Sequence, residues 1–114
     1  MHALIVEDEP LIALAIEDVL RDNGFHSFAF AVSVQEAIDA VAARCPDLIT
    51  SDVELNPGNG MDAVEEICGR AAVPTIFITS NAAAVHERLP QYLVLRKPFR
   101  VADFEAALEH VTAG

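Results

Sequence analysis

The sequence predicts an α/β domain, a doubly wound parallel sheet of five strands with helices on both faces. Two observations carry that prediction. Short continuous apolar runs, as expected of strands buried on both sides, alternate with longer segments whose apolar residues recur at helical spacing. Four of the five runs close on polar side chains at the end where the chain leaves the strand. A length of 114 residues fits a single domain over residues 1–114.

The first run is Ala3-Leu4-Ile5-Val6, ended by Glu7-Asp8-Glu9-Pro10. Pro10 suits a helix start, where the amide proton it lacks has no partner. From Leu11 to Asn23, apolar residues at 12, 16, 19 and 20 form a stripe, and Gly24 is the C-terminal stop. Phe25 to Phe30 reads as the second strand. Ser33-Val34-Gln35-Glu36 matches a capping box and opens a helix with Val34, Ile38 and Val41 on one face, ending before Cys45-Pro46. Leu48-Ile49-Thr50-Ser51 is the third strand, closed by Asp52. The turn-rich stretch Asn56-Pro57-Gly58-Asn59-Gly60 follows. Met61 to Arg70 is the third helix, with Met61, Val64, Glu65 and Cys68 at mixed spacing. Thr75-Ile76-Phe77-Ile78 is the fourth strand, ending at Thr79. Ala82 to Leu89 has room for two helical turns before Pro90. Tyr92 to Leu95 is the fifth strand and Lys97-Pro98 a turn. Val101 to Val111 is the last helix, with Val101, Phe104, Ala107, Leu108 and Val111 inward.

Composition narrows the function. The chain is 53% hydrophobic with 18 Asp and Glu against 7 Lys and Arg, a net charge of −11. A mean hydropathy of +0.33 excludes intrinsic disorder, and the charge excludes a phosphate-backbone binder, which needs a basic face. No apolar run reaches the roughly 18–20 residues of a membrane span, and Met1-His2-Ala3 does not open a signal peptide. A cytoplasmic location is expected. Cys45 and Cys68 are too few for a disulfide scaffold and are expected to pack as small apolar residues. His2, His26, His86 and His110 are scattered, without ligand spacing. The chain stops with its last helix, so a stand-alone domain without an output module is expected.

In open α/β sheets the working site lies beyond the carboxyl ends of the strands. There the sequence places Glu7, Asp8 and Glu9 after the first strand, and Asp52 after the third. Thr79 and Ser80 follow the fourth strand, and Lys97 the fifth. Converging carboxylates repel one another, and a hard divalent cation, Mg²⁺ first, relieves this. Asp8 and Asp52 would be direct ligands, Glu7 would hold a coordinated water, and a backbone carbonyl just past Asp52 would complete the protein's share. A carboxylate beside a metal can attack phosphorus to give an acyl phosphate. The Thr79 hydroxyl and Lys97 ammonium would hold the phosphoryl oxygens, where transition-state charge is spread.

These residues resemble a known family, the receiver domain of two-component response regulators. The likeness rests on Val6-Glu7-Asp8-Glu9-Pro10, on Asp52 with Pro57 and Gly60 behind it, on Ile78-Thr79-Ser80 and on Lys97-Pro98-Phe99. It runs from about Ala3 to Val111, with 44 residues from Asp8 to Asp52 and 27 from Asp52 to Thr79. The resemblance implies a flavodoxin-like sheet of order 2-1-3-4-5. It implies Asp52 as phosphoacceptor, Glu7 and Asp8 as the acidic pair, and the Glu54 carbonyl as backbone metal ligand. Thr79 is then the switch hydroxyl and Lys97 the phosphate-binding lysine. The implied partner is a sensor histidine kinase or a histidine phosphotransfer protein, and the implied role a phosphorelay component or phosphate sink.

The sequence departs from the family at several points. The switch position three before the lysine, often Tyr or Phe, is Val94, with Tyr92 two residues away on the same strand face. Lys97 follows Thr79 by only 18 positions, and the shortage falls on the fourth helix, which is expected to be short or irregular. A dimer through that helix is therefore not expected, and a monomer is. Phe77-Ile78-Thr79-Ser80-Asn81 is similar to the Phe-Ala-Thr-Gly-aromatic ending of one receiver subgroup. Members of that subgroup often lack the switch aromatic and partner an atypical class of kinases.

Three other readings stand beside this one. Asp8 alone could cap the helix opened by Pro10. The same donor set would serve an aspartate-nucleophile phosphohydrolase, although Glu54 stands where those enzymes carry a second Asp and the length leaves no room for a cap domain. A receiver-shaped binding module indifferent to phosphorylation is the third. Glu54 and Asn81 flank the site and would adjust access of water, while Arg96 reads as a surface charge.

Overall fold

The structure is a computed structural model that describes residues 1–112. Five strands and five helices alternate along it: β1 (His2–Val6), α1 (Pro10–Asp22), β2 (Ser27–Ala31), α2 (Val34–Ala43), β3 (Leu48–Ser51), α3 (Gly60–Cys68), β4 (Thr75–Thr79), α4 (Ala82–Arg88), β5 (Leu93–Arg96) and α5 (Val101–Thr112). All neighbouring strands pair in parallel, in the order β2-β1-β3-β4-β5. Among the described residues no helix is long and apolar enough to cross a membrane.

The continuous apolar runs are the central strands, as two-sided burial requires: every residue of β1, β3 and β4 is buried. Alternation then sorts their side chains between two cores. Leu4, Val6, Ile49 and Phe77 meet Ala37 of α2, Met61, Val64 and Ile67 of α3 and Val85 of α4 on one side. Ala3, Ile5, Leu48, Ile76 and Ile78 meet Ile16, Val19 and Leu20 of α1 and Phe104 and Leu108 of α5 on the other. At about 25 cal/mol per Å² of apolar surface removed from water, these two layers hold the fold.

Local signals set the helix ends. The Ser33 hydroxyl accepts from the Glu36 amide at 3.2 Å, while the Glu36 carboxylate reaches back to the Val32 amide at 2.9 Å. This is the predicted box, reaching one residue further back than the usual pairing. Gly24, at φ +92, lets the chain reverse after α1 so that the Phe25 amide reaches Leu20 O at 3.1 Å. The short α4 exists, capped by the Asn81 side chain and tied through Arg88 to Asp62 and Glu65 of α3.

Several expectations need correction. The second strand starts at Ser27, because Phe25 still belongs to the turn after α1, its amide bonded to Leu20 O, and its ring is buried in the core at 1% exposure. β2 and β5 are edge strands and only half-buried, so their faces do not read as continuous apolar runs. In α2 the centre of the buried face is Ala37, with Val34, Ile38 and Val41 flanking it half-buried. Val101, at the open first position of α5, is 54% exposed instead of inward. Cys45 is exposed, since it follows the end of α2 just before Pro46, whereas Cys68 is half-buried.

Candidate functional site

The parallel ladder continues one residue beyond three strands, and those residues carry the chemistry. The Glu7 amide donates to Ala31 O at 3.0 Å, the Asp52 amide to Val6 O at 3.0 Å and the Lys97 amide to Thr79 O at 3.0 Å. Each backbone is thus held by the neighbouring strand while its side chain projects past the sheet edge. Glu7 and Asp52 are 4% and 6% exposed.

Lys97 joins them. Its Nζ lies 2.8 Å from Asp52 Oδ2, 2.7 Å from Glu7 Oε1 and 3.0 Å from Glu9 Oε1. Burial by itself would lower the lysine pKa, but the hydrogen bonds to Asp52, Glu7 and Glu9 outweigh it and hold the ammonium above the ordinary lysine range. Burial pushes the Glu7 carboxyl up, opposed by the contact with Lys97. The other Asp52 oxygen, Oδ1, accepts from the Val53 amide at 2.7 Å and lies 3.4 Å from the Glu54 amide.

Asp8 is half-buried and stands on the wall of a cleft of about 390 Å³, shared with Glu9, Asp52, Glu54 and Ser80. It does not cap α1: the N-cap residue is Glu9, and among the described residues no side-chain hydrogen bond is made there. Glu54 is exposed, and its carboxylate lies 3.5 Å from the Asn81 side-chain amide across the cleft. Thr79 is fully buried at the end of β4, and its hydroxyl accepts from the Asn81 amide at 3.0 Å. Val94 pairs with Phe77, two steps before Thr79 pairs with Arg96, and packs half-buried on the α2–α4 side. Tyr92 does not stand in for an aromatic at that place. It precedes β5, at the opposite end of the sheet, edge-on to Phe77 with ring centres 5.6 Å apart. Burial, then the neighbouring Cys68 thiol, pushes its hydroxyl up to about 12.

Carboxylate oxygens of Glu7, Asp8, Glu9 and Asp52 lie within 4.8 Å of one another. One ammonium does not neutralise four acids. Glu7 Oε1 is moreover buried and meets the Lys97 ammonium at 2.7 Å, a single cation that it shares with Asp52 and Glu9. Oxygen-only donors and negative charge in excess of the one ammonium fit a hard divalent cation such as Mg²⁺. Sequence reasoning gathered Glu9 with the other acids but gave it no role; its bond to Lys97 depends on the path of the loop after β1. It also passed over Ser51, which looks like an ordinary strand residue.

Comparison with known proteins agrees with the geometry. The family profile described as the response regulator receiver domain matches residues 3–109. The phyllosphere-induced regulator PhyR of Methylorubrum extorquens is 35% identical over 109 residues, 92% of this chain and 41% of that protein. The transcriptional regulatory protein PdtaR of Mycobacterium tuberculosis is 33% identical over 114 residues, 95% of this chain and 55% of that protein. The chain therefore spans about half the length of these curated relatives. Among solved structures, the PhyR receiver domain of Erythrobacter litoralis superposes with a TM-score of 0.85 at 36% identity, covering 96% of this chain and 88% of that one. The receiver domain of a sensor histidine kinase from Pseudomonas aeruginosa, solved with magnesium coordinated in its active-site cleft, gives a TM-score of 0.85 at 28% identity, covering 99% and 98%.

Proposed function

The chain belongs to the response regulator receiver domain family, and from that premise we propose that it accepts a phosphoryl group on Asp52 from a phosphohistidine of a sensor histidine kinase or histidine phosphotransfer protein. In the transfer the phosphorus–nitrogen bond breaks, the imidazole keeps its electron pair, and an Asp52 oxygen forms the new bond to phosphorus. Water later cleaves that acyl phosphate to release inorganic phosphate. The observation that carries the reading is Lys97 Nζ within 2.8 Å of Asp52 and 2.7 Å of Glu7 at the carboxyl edge of the sheet.

The residues divide the work. The Val53 amide holds Asp52 Oδ1, so the carboxylate faces the cleft in one orientation. Lys97 is a fixed positive charge within reach of oxygens that gain negative charge as phosphorus is transferred. Thr79 supplies a hydroxyl whose oxygen accepts from the Asn81 amide, leaving its proton to donate to a phosphoryl oxygen. Asp8 and Asp52 would hold Mg²⁺ directly, with Glu7 behind them and the Glu54 carbonyl beside them. When bound, the ion supplies the positive charge that lets these acids share the cleft with a phosphoryl group. The role that follows is a component of a phosphorelay or a phosphate sink.

Incubation with radiolabelled, autophosphorylated histidine kinase and Mg²⁺ is expected to label the chain with an acid-stable, base-labile phosphate. Asp52→Asn should take none. Label on that variant would place the nucleophile elsewhere. A second reading, docking independent of phosphate, draws on Val94 at the switch position; partner affinity that is the same with and without phosphorylation would favour it.

A further inference from the structure

We infer that Ser51 and Gly60 are positioning residues for Asp52: they fix the peptide between Asp52 and Val53, and that peptide aims the carboxylate. The inference rests on the phosphoacceptor reading above. Ser51 ends β3 at 1% exposure and, by alternation, points with Ile49 towards α3. Its hydroxyl donates to Asp52 O at 2.9 Å. Gly60, the first residue of α3, closes on the same oxygen. A Cβ at position 60 would lie 1.6 Å from Asp52 O and 2.6 Å from Ser51 Oγ, so no side chain fits. The Gly60 amide also donates to Val53 O at 2.7 Å, holding the far end of Val53.

The carbonyl of the Asp52–Val53 peptide is therefore gripped on one side. Its N–H, on the other side, donates to Asp52 Oδ1 at 2.7 Å. A peptide unit is planar, so fixing the direction of its carbonyl fixes the direction of its N–H. With Oδ1 held by that N–H, Oδ2 faces Lys97 at 2.8 Å. Rotation of the peptide would swing the carboxylate out of this alignment, and a misplacement of about 1 Å at a reacting group costs on the order of 100-fold in rate. Neither residue touches the phosphoryl group; both act through the backbone.

Thr50 provides a control on the same strand. Among the described residues its buried hydroxyl has no hydrogen-bond partner, and by alternation it points to the opposite face of the sheet. The test measures two quantities: phosphate uptake from acetyl phosphate at saturating Mg²⁺, and the amide resonance of Val53. Ser51→Ala is expected to slow uptake about tenfold and to move the Val53 amide proton upfield, at little change in melting temperature. Gly60→Ala is expected to do more of both if it folds. Thr50→Val should leave uptake and the Val53 amide as they are. Uptake by Ser51→Ala at the parent rate, or slower uptake with the Val53 amide unmoved, would overturn the assignment. If the parent protein takes no phosphate from any donor, the phosphoacceptor reading falls, and the Val53 amide of Ser51→Ala then decides the positioning role alone.

Discussion

Lys97 shows how one side chain organises the site. Its ammonium sits among three carboxylates, two of them almost wholly buried, and their charge keeps it protonated despite its own burial. Asp8 has a different task. It neither caps α1 nor pairs with Lys97 among the described residues, and it stands on the cleft wall beside Asp52. A bound divalent cation would explain an acid left there. Mg²⁺ at a hundredfold excess over its Kd should stabilise the fold by about 2.7 kcal/mol, read as a rise in melting temperature. Asp8→Ala should abolish that rise while leaving the metal-free protein close to the parent. A metal-free loss of about 1 kcal/mol, with the Mg²⁺ response intact, would instead mark Asp8 as a helix cap.

At the scale of elements, the junction of β1 with β2 carries a pH dependence. His2 opens β1 at 5% exposure, and its Nδ1 lies 2.8 Å from the Ser27 hydroxyl, which also accepts from Arg44. Burial, then the Arg44 charge, lowers the His2 pKa below its ordinary 6.5, against a smaller opposing pull from Asp47. The unfolded chain thus binds the proton more readily than the folded one. Stability from this group is complete above pH 6.5 and is lost as pH falls through the lower folded value. Denaturant titrations at several pH values across that window should show the loss, and His2→Gln should flatten it. An unchanged slope in His2→Gln would assign the loss to other groups. The same elements explain what the sequence made legible. β1, β3 and β4 were readable because two-sided burial leaves unbroken apolar runs, and the site was readable because Glu7, Asp52 and Lys97 each end one. The β2 boundary was not, since Phe25 and Phe28 are equally aromatic but only one is in the sheet. Ala37 was illegible because its importance lies in the space it leaves for neighbours known only from the fold, and Gly60, legible as part of the family likeness, hid its closeness to the Asp52 carbonyl for the same reason.

Over the whole molecule, a net charge of −11 raises the question of why four acids gather at one sheet edge. Such a cluster opposes folding through self-repulsion, and the fold tolerates it because two apolar layers and the ladder hydrogen bonds hold the strand ends in place. The arrangement repeats what receiver domains share: strands bury their length and expose chemistry at one end. The Thr79-Ser80-Asn81 ending, Val94 and the short α4 are where this chain departs from the family pattern, all on the side of the cleft formed by β4, α4 and β5. The central claim is that the carboxylate at the end of β3 takes the phosphoryl group. Hydride reduction of the protein after exposure to acetyl phosphate and Mg²⁺ turns an acyl phosphate into an alcohol, whose position peptide mass spectrometry reports. The account predicts that alcohol at Asp52 alone; finding it at Asp8, Glu54 or another acid, with Asp52 intact, would contradict it.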